Sequence, residues 1–320
     1  MEKIRTAVIG AGFWGRNHIR VLSEIPEVKL VAVCDINQES LRLVENKYKV
    51  KTYTDTIKML ENESIDAVNI CVWSTKLSEE ALKALKLRKH VLVEKPMAAS
   101  ITEAEKILKT AEKNKVFLSV GFIERFNPGV IRLKRLIEDH GIGVPVSATV
   151  TRVSKWPERI GDVGVVKDTA IHDIDITRFI FNREPESVFA NIGSLNHRYE
   201  DYAQIMLSFP DGRSAFLESN WLTPYKVRRL KVTGSEGIAT VDYMTQEIMI
   251  ETPKETLTPR GEWEEPLKLE LKSFVDCIIQ NKTPLVTGKD GLKALYIAEA
   301  ALKSARTGRV VRLNKKDPEE

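Results

Sequence analysis

The sequence predicts an α/β chain of two parts: an N-terminal Rossmann domain with a doubly wound parallel sheet, then an α+β domain with a mostly antiparallel sheet. Up to residue 121, short Val/Ile/Leu runs alternate with amphipathic helical stretches, which is typical of parallel strands covered on both faces. Longer segments of alternating hydrophobicity follow, as in half-buried antiparallel strands. Because 320 residues make about two domains, we expect one at 1–121 and one at 122–320.

The first part repeats a β–α unit. Each apolar run is followed by an amphipathic stretch, and right-handed crossovers between them give a doubly wound sheet. The predicted strands are Arg5–Ile9, Lys29–Cys34, Ala67–Val72, His90–Val93 and Val116–Val120, and the predicted helices are Trp14–Ser23, Gln38–Lys47, Ser78–Leu87 and Thr102–Lys113.

The second part is richer in strands. Pro210-Asp211-Gly212 marks a hairpin turn between two of them. Its predicted helices are Pro128–Asp139, Thr169–Phe181 and Leu292–Ala305, and its predicted strands are Val146–Val153, Ser187–Ile192, Ala203–Phe209, Ser214–Trp221, Val227–Val232, Ile238–Tyr243 and Glu247–Glu251.

The composition argues against several classes of protein. The net charge is only +4, with Lys and Arg spread along the chain, whereas nucleic-acid binders usually concentrate them on one face. No apolar stretch approaches the ~20 residues of a membrane span. The N-terminus lacks a signal-peptide pattern, so we expect a cytoplasmic protein. The three cysteines form no C-x-x-C pair, so we expect neither a disulfide framework nor a metal site.

A glycine motif, Gly10-Ala11-Gly12-Phe13-Trp14-Gly15, follows the first predicted strand and opens the first predicted helix. This context is the fingerprint of dinucleotide binding. The first glycine allows the tight turn, the second lets the backbone approach a pyrophosphate, and the third lets helix and strand pack closely. The helix N-terminus then offers N–H donors to the phosphates.

Asp35 ends the second predicted strand, 20 residues after Gly15. An acid at this place accepts hydrogen bonds from the adenosine ribose and repels a 2′-phosphate. The next residues, Ile36 and Asn37, bring no positive charge, so we expect NAD rather than NADP. Asp35 can also cap the following helix, and the two roles are compatible.

Two more motifs carry a family resemblance. Val93-Glu94-Lys95-Pro96 follows the fourth predicted strand, and Asp168 and His172 stand four residues apart, on one face of a predicted helix. With the glycine motif, they make the chain resemble the glucose–fructose oxidoreductase, inositol dehydrogenase and MocA (Gfo/Idh/MocA) family over essentially its whole length. The resemblance implies an enzyme that oxidises a sugar or polyol hydroxyl with NAD.

The resemblance also implies roles for individual residues. His172 would take the hydroxyl proton as general base, Lys95 would stabilise the developing alkoxide, and Asp168 would orient the imidazole. Two alternatives stay open: Lys95 and His172 titrate as a pair, so either can carry the proton, and Asp175 is a second candidate partner of His172. The predicted cofactor residues are Gly10, Gly12, Phe13, Trp14, Gly15, Asp35, Ile36, Val72, Glu94, Lys95 and Arg125.

Within the family, Gly121–Pro128, Arg159–Val165 and Leu222–Arg228 most resemble UDP-N-acetylglucosamine 3-dehydrogenases. One departure lies after the third predicted strand, where Val72-Trp73 replaces the Thr-Pro of many relatives. This departure affects the cofactor loop and not the predicted catalytic residues.

A run of basic residues, Arg152, Lys155 and Arg159, precedes the helix with Asp168 and His172. Guanidinium groups bind phosphate oxygens bidentately, so this run is either a diphosphate clamp or a solvated basic loop. The predicted substrate residues are Lys95, Arg152, Arg159, Asp168 and His172.

We therefore expect an NAD-dependent dehydrogenase of a secondary sugar hydroxyl, with C3 of a UDP-N-acetylhexosamine as the first choice. The alternatives are a dehydrogenase of a free polyol or aldose, such as an inositol, and a non-catalytic NAD-binding regulator. The resemblance further implies a homodimer or homotetramer. We expect no nucleic-acid, membrane or metal partner.

Overall fold

The computed structural model describes residues 3–157 and 161–313. The chain divides into two compact units, one of residues 1–123 with 265–293 and one of residues 124–264 with 294–320. The first unit therefore differs from the predicted range 1–121, because it also takes in a segment from late in the chain.

The first unit contains a six-stranded sheet in the order β3-β2-β1-β4-β5-β6, and all of its neighbouring strands are parallel. The order reverses between β1 and β4, which is where ligands bind in doubly wound folds. This confirms the predicted Rossmann sheet. Its strands are β1 Ile4–Ile9, β2 Val28–Cys34, β3 Lys51–Tyr53, β4 Ala67–Ile70, β5 His90–Val93 and β6 Leu118–Val120. Its helices are α1 Phe13–Glu24, α2 Gln38–Tyr48, α3 Thr56–Asn62, α4 Leu77–Lys86, α5 Ile101–Asn114 and α8 Pro266–Gln280.

Helix α8 belongs to the first unit because its apolar face completes that unit's core. Leu267, Leu271 and Phe274 are buried in the cluster that contains Ile19 and Leu22 of α1. Arg20 on α1 also pairs with Glu265, just before α8, with 2.5 Å between Nη2 and Oε1. Burial of large side chains contributes about 1.5–3 kcal/mol each, which outweighs a partly exposed ion pair.

The second unit contains a nine-stranded sheet in the order β14-β13-β12-β11-β7-β10-β9-β8-β15. Only β7 and β10 pair in parallel among its described strands, so the predicted mostly antiparallel sheet is confirmed. Its strands are β7 Pro145–Lys155, β8 Ser187–Gly193, β9 Tyr202–Ser208, β10 Ser214–Asn220, β11 Leu222–Gly234, β12 Ile238–Asp242, β13 Ile248–Glu251, β14 Thr256–Leu257 and β15 Val311–Arg312.

Several helices and a π-helical turn accompany this sheet. A short 3₁₀ helix, Ile123–Phe126, contains the chain position 123/124 at which the first unit gives way to the second, and the π-helical turn Val166–Ala170 leads directly into the next helix. The helices are α6 Pro128–Glu138 and α7 Ile171–Phe181, and α9 Gly288–Thr307 follows late in the chain.

Candidate active site

The glycine loop lies between the end of β1 and the start of α1. Gly10 has a left-handed φ of 96°, and a Cβ added to it would lie 2.4 Å from the carbonyl oxygen of Cys71. A Cβ on Gly15 would lie 1.8 Å from the carbonyl oxygen of Gly10. The protein's own backbone packing therefore requires both glycines.

Gly12 differs from these two glycines. An added Cβ there would meet no atom of residues 3–157 or 161–313 within 4 Å, its chain neighbours and helix backbone aside. Gly12 is also the N-cap of α1, and no side chain in the described part of the chain caps that helix. The open space and the N–H groups at the helix start together suit a pyrophosphate.

Exposed apolar side chains follow the carboxyl ends of three strands. Phe13 after β1 is 56% exposed, Ile36 after β2 is 89% exposed, and Trp73 after β4 is 55% exposed. Val72, beside Trp73, is half-buried. Trp14 instead packs against the core of the unit. Scattered exposed apolar residues are common, but this edge of the sheet is where a dinucleotide binds.

Asp35 joins the end of β2 to the glycine loop. Its Oδ2 accepts the Ala11 N–H at 2.5 Å, and its Oδ1 accepts the Asn37 N–H at 2.7 Å. A carboxylate offers about four acceptor positions, so further positions remain for ribose hydroxyls. The helix cap is Asn37, whose side chain accepts the Ser40 N–H.

Glu94 and Lys95 directly follow β5, and both are buried. The Glu94 carboxylate points to the core, where its Oε1 lies 3.0 Å from Nε2 of the buried His18. The structure thus gives Glu94 a partner inside the first unit, and its contact with the cofactor stays a prediction. The sequence gives no signal for this contact, because the two residues are 76 positions apart.

Asp168 and His172 lie where the π-helical turn continues into α7. Asp168 is buried, and His172 is half-buried, whereas every residue of α7 except His172 and Phe179 is buried. The Trp221 indole N–H donates to Thr169 Oγ1 at 3.2 Å, and the Thr169 hydroxyl reaches Asp168 Oδ2 at 3.3 Å. π-Helical turns inside helices are frequent at functional sites.

Arg125, predicted to contact the cofactor, forms a buried bidentate pair with Asp175. Its Nε and Nη2 lie 2.7 and 2.6 Å from the two carboxylate oxygens, and Arg178 donates to Oδ1 at 3.3 Å. Asp175 therefore has guanidinium partners on both oxygens. This explains its burial on α7 without a role toward His172.

Arg152, predicted to bind substrate phosphates, is 3% exposed. Its Nε lies 2.9 Å from Asp173 Oδ1, and its Nη1 lies 2.8 Å from Glu124 Oε1. Arg228 lies 3.4 Å from the same Glu124 oxygen, so two cations face two carboxylates. Burial lowers the pKa of Arg152, but attraction to Asp173 and Glu124 outweighs it and raises that pKa. The surroundings do not support Arg152 as a diphosphate ligand, because the cluster has no surplus positive charge.

The predicted diphosphate clamp also includes Lys155 and Arg159. Lys155 is exposed at the end of β7. Arg159 lies outside the described residues.

Residues 3–157 and 161–313 contain no helix with the length and apolar character to cross a bilayer. They also contain no cluster of three or more His, Cys, Asp or Glu side chains placed to hold a metal ion.

Comparison with known protein families matches both units. Residues 4–122 match the model for the oxidoreductase family with an NAD-binding Rossmann fold. Residues 130–240 match the GFO/IDH/MocA C-terminal domain.

Individual proteins are similar over nearly the whole chain. The scyllo-inositol 2-dehydrogenase (NAD⁺) of Bacillus subtilis is 30% identical, over 98% of this chain and 98% of that protein. The myo-inositol 2-dehydrogenase of Thermotoga maritima is 29% identical, over 97% of this chain and 98% of that protein. The structure of the UDP-N-acetylglucosamine 3-dehydrogenase of Acidithiobacillus ferrooxidans has a TM-score of 0.88 at 24% identity, over 96% of this chain and 99% of that chain, and this likeness shows the fold alone.

Proposed function

We propose that the substrate is a free cyclic polyol or sugar, one secondary hydroxyl of which is oxidised to a ketone. The chain belongs to the Gfo/Idh/MocA family of oxidoreductases. The protein is an NAD-dependent oxidoreductase acting on CH–OH groups.

The residues at the carboxyl edge of the first sheet fit NAD. The space beside Gly12 and the uncapped start of α1 would receive the pyrophosphate, and the free acceptor positions of Asp35 would receive the ribose hydroxyls. When bound, NAD supplies the ring carbon that takes the hydride from the substrate.

Three side chains would handle the proton and the developing charge. His172 would take the hydroxyl proton as general base, because a nitrogen of a neutral imidazole can accept a proton and the half-buried ring is not closed off from a ligand. Lys95 would stabilise the alkoxide electrostatically. Asp168, held by Thr169 and through it by Trp221, would keep the imidazole in the orientation that accepts the proton.

The pairing of Arg152 carries the choice of a free polyol over a sugar nucleotide. A diphosphate needs unneutralised cations, and Arg152 already faces Asp173 and Glu124 in a buried cluster. The inositol dehydrogenases among the relatives support the same choice. The sugar-nucleotide alternative depends on the three sequence stretches that resemble UDP-N-acetylglucosamine 3-dehydrogenases.

Steady-state kinetics with NAD test the proposal. We expect myo-inositol or scyllo-inositol to be oxidised with a higher kcat/KM than UDP-N-acetylglucosamine. A free aldose is the second probe of the same class. A higher kcat/KM for UDP-N-acetylglucosamine than for every free polyol and aldose would contradict the proposal and favour the alternative.

We also propose that the protein forms a homo-oligomer through the open face of the nine-stranded sheet. Phe189, Met206 and Phe216 are cross-strand neighbours on β8, β9 and β10, and they are 44%, 38% and 55% exposed. Three large apolar side chains in one row are typical of an association surface. A second copy would cover this row.

Light scattering on purified protein tests the assembly. Phe216→Glu should lower the mass of the particle, because it places a charge within the apolar row. Leu43→Glu, on a 58% exposed residue of α2, is the matched control and should leave the mass unchanged. A monomeric wild type, or equal masses for wild type and Phe216→Glu, would rule this surface out.

A further inference from the structure

Three polar side chains are buried together in the apolar core of the first unit. His18 on α1 is 0% exposed, Asn69 on β4 is 1% exposed, and Glu94 after β5 is 9% exposed. Burying polar groups costs free energy unless their hydrogen bonds are made. Asn69 Oδ1 has no partner within the described residues. Apolar side chains would therefore fill this space at a lower cost in free energy.

The contacts fix the proton of His18. Glu94 Oε1 lies 3.0 Å from His18 Nε2, and a carboxylate only accepts, so Nε2 must carry the hydrogen. The Asn69 amide nitrogen lies 3.2 Å from His18 Nδ1 and donates to it. The neutral Nε2–H tautomer satisfies both contacts at once.

The cluster joins three elements that end at the cofactor edge. His18 lies six residues after Gly12 on the same helix, Asn69 lies on the strand across the switch point, and Glu94 directly precedes Lys95. Glu94 Oε2 accepts the backbone N–H of Lys95 at 3.3 Å. A Cβ on Gly121 would lie 3.0 Å from this carboxylate, so the chain after β6 closes over Glu94.

We propose that His18 and Asn69 are positioning residues. They hold the Glu94 carboxylate in one orientation, and Glu94 in turn holds the Lys95 backbone. The proposal rests on the proposed role of Lys95. An apolar side chain at position 18 would fill the same volume but leave the Glu94 carboxylate without its donor.

Two substitutions of His18 separate positioning from packing. Glutamine carries its amide nitrogen as many bonds from Cα as His Nε2, so His18→Gln keeps the donor to Glu94, whereas the shorter His18→Asn loses it. We expect His18→Asn to lower kcat roughly 10- to 100-fold, the range for a small misplacement of a reacting group. The Kd for NAD, measured by calorimetry, should change only a few-fold, and His18→Gln should recover most of kcat.

His90→Gln is the matched control. His90 begins β5, at the end of the strand opposite to Lys95, and its substitution should leave kcat unchanged. An unchanged kcat in His18→Asn, or equal losses in His18→Asn and His18→Gln, would overturn the proposal. If His18→Asn does not fold, Asn69→Ala replaces it; a reduced kcat with NAD binding retained supports the proposal, and an unchanged kcat overturns it.

A spectroscopic readout does not depend on the substrate. The ¹⁵N shifts of the His18 ring in the wild type without substrate should show a protonated Nε2 and an unprotonated Nδ1, and a protonated Nδ1 would overturn the proposal. A wild type inactive on every polyol and aldose would contradict the proposed function instead. The His18 series can then be measured with whichever sugar substrate the wild type oxidises.

Discussion

The two units bury polar groups in different ways. The core cluster of the first unit has one carboxylate, one imidazole and one amide, joined by hydrogen bonds of 3.0 and 3.2 Å. The second unit buries ion pairs, with Arg125 against Asp175 and Arg152 against Asp173 and Glu124.

The two units also hold their functional groups in different ways. In the first unit, the cofactor edge is built from backbone: glycines, strand ends and a helix start. In the second unit, guanidinium groups hold the carboxylates of α7 in place, and removal of one member of such a buried pair leaves an uncompensated charge. We therefore expect substitutions in the second unit to affect stability as well as activity.

The largest effects should come from one residue of each unit. Lys95→Ala and His172→Ala should each lower kcat by about 10²- to 10⁴-fold, the range for a lost acid–base group. The Kd for NAD should change much less in His172→Ala, because that residue lies outside the nucleotide-binding unit. Kinetics and calorimetry measure the two effects, and wild-type turnover in either variant would remove that residue from the mechanism.

Arg152→Met should destabilise the second unit strongly. It leaves Asp173 and Glu124 without their main cation, and breaking a buried pair costs about 3–5 kcal/mol. Urea denaturation measures the loss, with the exposed Lys155→Met as a control that should stay within about 0.5 kcal/mol. Near wild-type stability together with a raised KM would instead restore Arg152 as a substrate ligand.

Asp35→Ser combined with Ile36→Arg should narrow or reverse the preference for NAD over NADP. The carboxylate repels the 2′-phosphate, and an arginine can bind it with about 1.5–3 kcal/mol, roughly 10- to 150-fold in affinity. Ile36→Arg alone is the control, because it keeps the carboxylate. If the wild type already binds NADP more tightly than NAD by calorimetry, Asp35 does not select the cofactor.

The smallest effect should be a pH dependence in the first unit. Burial lowers the pKa of His90, and its Nδ1 accepts the Phe117 N–H at 3.0 Å, which only the neutral ring can do. The unfolded state therefore binds more protons than the folded state below about pH 6.5. As the pH falls through this range, the free energy of unfolding decreases, by about 0.5–1.5 kcal/mol for the hydrogen bond that protonation removes. Unfolding free energies between pH 5 and 7.5 should show this slope in the wild type and less of it in His90→Gln; identical slopes would contradict it.

The sequence predicted elements that have their own periodicity. Five of the six strands of the first sheet are examples, whereas β3 has only three residues and was not predicted, because so short a strand shows no alternation. The pairing of Arg152 was out of reach for another reason. The arginine and its partners stand 21 and 28 positions apart, and only the folded chain brings them together, so in sequence Arg152 resembled an available cation. The glycine motif and Asp35 were found because their spacing alone is informative.

During translation the first unit stays incomplete for longer than its sheet does. All six strands have been made by residue 120, but the face of α1 with Ile19 and Leu22 is covered only when α8 has followed. At about 5–20 residues per second, the roughly 150 residues in between take about 8–30 s. Through that interval the ribosome-bound chain presents an apolar helix face, and a fragment that stops at residue 123 would keep it exposed permanently.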